Sequence, residues 1–184
     1  MSTKSLIPLL LFSCLAFALP AAAQTCREVV RDASGRIVQT IERQPQPGGI
    51  ERTVIRDASG RIIGTSTTRA TAGGGSSTTY RDASGRMAGT ASSHGGGSGH
   101  STTTYRDASG RISGSAASHR TGHGSHTTWR DGSGRISGSE HAHGNGAFST
   151  TRRDASGRLT GSSTASGPCA TGTRVPPPPT GVRR

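Results

Sequence analysis

The sequence predicts an all-β protein: an antiparallel meander of six repeated β-hairpins that can curl or close into a barrel. Three observations carry this. The phrase Arg-Asp-Ala-Ser-Gly-Arg-Ile recurs with few changes from Arg31, Arg56, Arg81, Arg106, Arg130 and Arg153, at steps of 25, 25, 25, 24 and 23 residues. A near-constant period marks one supersecondary unit used repeatedly. The flanks of the phrase are rich in Thr, Tyr, Val and Ile, which favour strands, and no segment has helical periodicity. Hydrophobic residues make up 29% of the 184-residue chain and aromatics 3%. That is too little for a thick oily core, so either a thin, hydrogen-bonded β structure or partial disorder must result.

In chain order, residues 1–23 read as an export signal. Lys4 supplies the positive start, Leu6 to Leu19 the apolar stretch, and Ala21-Ala22-Ala23 a small-residue cleavage site. The apolar stretch is short and interrupted by Pro8, which argues against a membrane anchor. Phe12 before Ser13-Cys14 makes a poor lipidation site. The expected location is therefore periplasmic or secreted, with cleavage after Ala23. Residues 24–167 form the repeat domain, and residues 168–184 a Cys-containing, Pro-rich tail read as polyproline II or disorder. Cys26 and Cys169 bracket the repeats. In an oxidising compartment their expected state is an intramolecular disulfide. Because both fall at the same end of a meander, that bond would draw the first and last strands together and favour closure.

Within each phrase Asp and Gly specify a tight turn. Asp107 can accept from backbone N–H groups two residues on, and Gly110 can take positive φ without a Cβ clash. A type I turn ending in a left-handed Gly closes a short hairpin loop. Looser glycine loops, such as Ala72-Gly73-Gly74-Gly75, join one hairpin to the next. Six hairpins of two strands give twelve strands.

Two positions supply periodic apolar side chains. Before the first Arg stand Val30, Ile55, Tyr80, Tyr105, Trp129 and, in the last copy, Arg152. After the second Arg stand Ile37, Ile62, Met87, Ile112, Ile136 and Leu159. If Asp107 pairs with Arg111, Tyr105 and Ile112 point to opposite faces; if Asp107 to Gly110 are all loop, they share one. A one-residue shift decides. The second register is expected, since it gathers the apolar groups.

The net charge of +12 comes from Arg, Lys4 being the one lysine. Arg suits bidentate recognition of carboxylate and phosphate. Twelve Arg in the phrases (Arg31, Arg36, Arg56, Arg61, Arg81, Arg86, Arg106, Arg111, Arg130, Arg135, Arg153, Arg158) against six Asp leave +6 at the turn edge, a candidate grip for an anionic polymer. The expected partner is an anionic envelope polysaccharide or another protein. Neither nucleic acid binding nor integral membrane insertion is expected.

All seven histidines lie between residues 94 and 143, and the meander sets them in three neighbouring glycine loops: His94 and His100; His119, His123 and His126; His141 and His143. Imidazole binds Zn, Cu and Ni. Flexible loops and a single nearby acid, Glu140, organise such a site poorly, so weak binding at most is expected, with no dedicated cofactor. A periplasmic metal-binding protein is the alternative function. There is no phosphate-loop lysine, no His-Glu-x-x-His and no Gly-x-Ser-x-Gly, and the repeated Asp residues have a turn to make, so no enzyme is expected.

Asp107, Gly110, Arg111 and Ile112, with their equivalents in the other copies, resemble the heart of the YD repeat of the bacterial Rhs-type family. That resemblance implies stacked β-hairpins with surface or interaction roles. It departs where Arg106 stands directly before Asp107 and Tyr105 one place earlier, and the chain is too short to form that family's large shells. Toxin activity is therefore not carried over.

Overall fold

The computed structural model describes residues 25–95, 99–143 and 148–166. The leader with Cys14, the tail and Cys169 lie outside the described residues. Twelve strands run in chain order: β1 (Cys26–Asp32), β2 (Ile37–Gln46), β3 (Ile50–Asp57), β4 (Ile62–Thr71), β5 (Gly75–Asp82), β6 (Met87–Gly95), β7 (His100–Asp107), β8 (Ile112–Thr121), β9 (Gly124–Asp131), β10 (Ile136–His143), β11 (Phe148–Asp154) and β12 (Leu159–Ser166). Each pairs antiparallel with the next, and β1 pairs with β12 from Arg27↔Ser166 to Asp32↔Gly161. The meander is a closed barrel with no open edge, which removes the exposed backbone of an unpaired edge strand.

The turn chemistry is the expected one. In the fourth copy Gly110 N–H donates to Asp107 C=O at 3.0 Å, and Asp107 N–H to Arg111 C=O at 2.9 Å. Asp107 Oδ1 accepts from Ser109 N–H, Ser109 Oγ–H and Arg111 N–H at 2.7–3.0 Å. Gly110 sits at φ +84°, where a side chain would be strained.

The register overturns the expected placement of the second apolar row. Arg106 pairs with Ile112 and Tyr105 with Gly114, so Ser113 is an extra residue and the outgoing strand bulges beside every turn. The Asp107–Arg111 bond belongs to the alternative in which the two apolar positions face opposite ways. Accordingly Tyr105 is 1% exposed, while Ile37, Ile62, Met87, Ile112, Ile136 and Leu159 are 44–53% exposed on the outer wall. Gathering the apolar groups would have required a larger loop. Three bonds to the Asp carboxylate in five of the turns, and two at Asp82, favour the tight one.

In copies two to six a glycine stands opposite the inward residue before the phrase, Ile55↔Gly64, Tyr80↔Gly89, Tyr105↔Gly114, Trp129↔Gly138 and Arg152↔Gly161; in the first copy Val30 faces Gln39. Gly114 is required twice over. Tyr105 lies opposite it, and a Cβ there would come within 2.6 Å of the Arg130 carbonyl on the next strand.

The interior explains how so apolar-poor a chain packs. Tyr80, Ala91, Tyr105 and Ala116 form one buried cluster with Trp129 against it, and Tyr105 stacks on Trp129 at 6.0 Å between centroids. Among the described residues, four inward positions on the barrel wall are hydroxyl pairs between facing residues. Thr68–Thr78, Ser93–Thr103, Ser118–Thr127 and Thr150–Ser163 bond at 2.6–2.8 Å. Each satisfied pair contributes about 1 kcal/mol; Ser76 Oγ, on the same inward side of β5, is buried without a hydrogen-bond partner among the described residues. Where β10, β11 and β12 meet β1 and β2, charge replaces hydroxyl. Glu28, 2% exposed, accepts from Arg43 at 3.0 Å and from Ser163 Oγ at 2.6 Å; Arg152 lies 3.9 Å from Glu28 and donates to Glu140 at 2.7 Å.

Candidate functional site

Two surfaces outside this core carry chemistry, at opposite ends of the strands. The first is the turn rim. Barrel closure converts the expected linear ladder of twelve Arg into a ring. Its two sets of Arg behave differently. The first Arg of each phrase lies over its own turn: Nη1 of Arg31, Arg56, Arg81, Arg106, Arg130 and Arg153 donates to the turn Gly carbonyl at 2.8–3.0 Å. The second Arg contributes its backbone carbonyl to the turn. The side chains of Arg36, Arg61, Arg86, Arg111, Arg135 and Arg158 are exposed, and none joins a salt bridge among the described residues. Five guanidinium donors on each of these six remain directed to solvent or a ligand.

The Asp carboxylates do not cancel this ring symmetrically. Each Oδ1 is turned inward on its own loop. The Ser hydroxyl bond holds Asp32, Asp57, Asp107, Asp131 and Asp154 below the ordinary Asp range, backbone N–H groups and the neighbouring Arg helping, against partial desolvation. They stay ionised at any physiological pH. Beside the rim, the displaced apolar residues form an outer collar in register with Arg: Arg31↔Ile37, Arg56↔Ile62, Arg81↔Met87, Arg106↔Ile112, Arg130↔Ile136 and Arg153↔Leu159.

The second surface is the histidine face. Six of the seven histidines are on strands, not in the glycine loops where the sequence placed them; His123 alone is in a turn. The strands extend further than the glycine content indicated, because the facing hydroxyl pairs continue the ladder to these positions. Across β7, β8, β9 and β10 the register aligns His100↔His119↔His126↔His141. Their chain neighbours Ser118, Thr127 and Glu140 point inward, so the row is on the outer wall. Ring centroids are 4.2 Å apart in His100–His119 and 4.3 Å in His126–His141. Glu140, the one acid near the histidines in sequence, is committed inside to Arg152. Among the described residues no three His, Cys, Asp or Glu side chains converge as a metal group.

Cys26 is buried at the glycine-loop end of β1 and is disulfide-bonded. The expected partner, Cys169, is outside the described residues. The buried ion-pair group was not singled out in the sequence. Its signal was a break in the repeat template: Glu28 stands where other copies have Thr53, Thr78, Thr103, Thr127 and Thr150, and Arg152 where they have Val30, Ile55, Tyr80, Tyr105 and Trp129.

Burial pushes the phenols of Tyr80 and Tyr105 well above their usual range. Arg43 partly offsets this for Tyr80, and Tyr80 and Glu140 add to it for Tyr105. Both stay neutral and structural.

No known protein family and no curated protein matches this chain. Among solved structures, a Bacteroides fragilis protein with a YmcC-like fold, thought to be exported, aligns at 8% identity and a TM-score of 0.40 over 78% of this chain and 93% of that one. A Parabacteroides distasonis protein thought to be a lipoprotein aligns at 10% identity and a TM-score of 0.34 over the same shares. Likenesses this slight carry no argument here.

Proposed function

We propose that the protein is exported and serves at the cell envelope as a non-enzymatic binding element, its arginine rim taking an anionic polymer such as a carboxylated or phosphorylated polysaccharide. One observation carries the reading: closure of the barrel gathers six exposed second Arg side chains and six turn-anchored first ones on a single rim. The Asp carboxylates beside them are turned into their own loops. A regular ring of planar, bidentate donors at a repeat of roughly 10 Å suits a ligand with evenly spaced anions.

Export rests on the leader-like residues 1–23 and on the oxidised, buried Cys26. A Cys26–Cys169 bond would clamp the glycine-loop end of the barrel where β1 meets β12. Insertion through a bilayer does not suit this wall. A membrane barrel needs an outward apolar band about 25 Å tall. Here the outward wall above the collar carries mainly polar side chains, such as Thr90, Thr104, Ser115 and His119, with scattered apolar ones such as Val29 and Val54 that make no continuous band.

The test is binding of polygalacturonate and of polyphosphate to the mature protein across a salt series. Arg36→Gln/Arg61→Gln/Arg111→Gln on the rim is compared with Arg27→Gln/Arg52→Gln/Arg69→Gln at the other end, which removes equal charge. The rim variant should lose about tenfold or more in affinity at physiological salt and flatten the salt slope, and the control should lose little. Equal losses would mean diffuse charge alone, and would end the reading.

A further inference from the structure

We propose that the outer-wall histidine row forms two open metal clamps, His100 with His119 and His126 with His141, each taking one divalent transition-metal ion. The row is set by strand register, since all four residues are direct cross-strand partners on β7 to β10. The rings within each pair are 4.2 and 4.3 Å apart, tilted by 30° and 49°. A metal held about 2.0–2.1 Å from each of two imidazole nitrogens needs those nitrogens about 3 Å apart. Small rotations of the two rings reach that from the observed positions, with no movement of the strands.

One ion shared by all four is excluded by the geometry of a sheet. His100 and His126 are two strands apart, roughly 10 Å. Each clamp therefore supplies two nitrogens. No third His, Cys, Asp or Glu joins either pair among the described residues, so the other positions are left to water or to an external donor. Such a site is open and exchangeable, unlike a closed structural one. Cu(II), which tops the stability order for nitrogen ligands, is the expected best occupant, followed by Ni(II) and Zn(II).

The barrel does not need these imidazoles. At the position of His126 other copies carry Ser77, Thr102 and Ser149; at that of His141 they carry Ser92, Ala117 and Thr164. No other copy carries His at either position; the first two have Arg27 and Arg52 at the former and Glu42 and Thr67 at the latter.

The test is calorimetric titration of the mature full-length protein with Cu(II) at neutral pH, with electron paramagnetic resonance to count bound nitrogens. His119→Gln removes the first clamp, His126→Gln the second, and His123→Gln, in the turn, neither. Circular dichroism confirms that each variant retains the fold. The expected result is two sites in the parent and in His123→Gln, one in each single clamp variant, and neither in the double variant, with a two-nitrogen signature. Unchanged binding in the double variant, or equal loss in His123→Gln, would overturn the assignment and leave only adventitious binding.

Discussion

Replacing Glu28 by Ala should be among the most damaging single changes in this chain. The carboxylate is 2% exposed and is a partner to three elements at once: Arg43 on β2 at 3.0 Å, Ser163 on β12 at 2.6 Å and Arg152 on β11 at 3.9 Å. Those contacts span the seam where the two ends of the chain meet. After truncation Ser163 keeps its bond to Thr150 and Arg152 keeps Glu140. Arg43, 11% exposed, is left with Glu51 at 4.0 Å. The cost thus falls mostly on one buried guanidinium. Breaking one side of a buried pair typically costs about 3–5 kcal/mol. At about 2–4 °C per kcal/mol for a domain of this size, the melting temperature should fall by roughly 6–20 °C. Urea and thermal unfolding followed by circular dichroism measure this. The Glu28→Ala/Arg43→Ala double variant should lose clearly less than the sum of the two singles. A loss below about 1 kcal/mol in Glu28→Ala, or additive singles, would show that the pair behaves as a solvated surface contact and would refute the reasoning.

Three further outcomes follow from the register and the turns. Tyr105→Ala should cost about 3–5 kcal/mol, whereas Ile112→Ser, on the outer collar, should cost less than about 1 kcal/mol; denaturant melts that rank them in reverse would restore the shared-face register. Gly114→Ala should destabilise more than Gly110→Ala. The first meets the Arg130 carbonyl at 2.6 Å, while the second meets nothing within 4 Å and carries only the left-handed φ of +84°, about 1–2 kcal/mol; equal melting temperatures would contradict the close approach. On acidification the sign is fixed by the lowered Asp values in five turns. A group whose folded value is depressed contributes stability above the ordinary Asp value of 3.8, and that contribution is lost as pH falls through the lower folded value. Carboxyl resonances followed by NMR should titrate below that value for Asp32, Asp57, Asp107, Asp131 and Asp154; titration at or above it would remove the turn bonds from the account.

The hairpin count, the strand directions and the turn were legible because each is fixed by local chemistry. Asp at the first turn position and Gly at the fourth leave little choice of loop. Closure was legible as an option, through two cysteines flanking a meander. The register was not, because the apolar pattern and the turn pulled in opposite directions and the preference for a buried apolar row was given too much weight. The two-residue bulge at Ile112-Ser113 satisfies the turn and sends Ile112 outward. The glycine after it gives Tyr105 its space. The histidines were visible as a cluster, but their alignment depends on four separate registers that no spacing in the chain reveals. Conversely, Glu28 and Arg152 were visible as departures from the repeat and needed the barrel interior to acquire a meaning.

Because β1 pairs with β12 over six residues, as β10 does with β11, the order of the strands has no structural beginning. Joining residue 166 to residue 26 through a short linker and cutting the chain at another glycine loop, between β4 and β5 for instance, leaves every pairing in place. The positions of the two termini, and of anything attached to them, are therefore a matter of where the gene starts reading a ring. A tail or leader could hang from any of six equivalent gaps while the rim and the histidine face keep their places relative to each other.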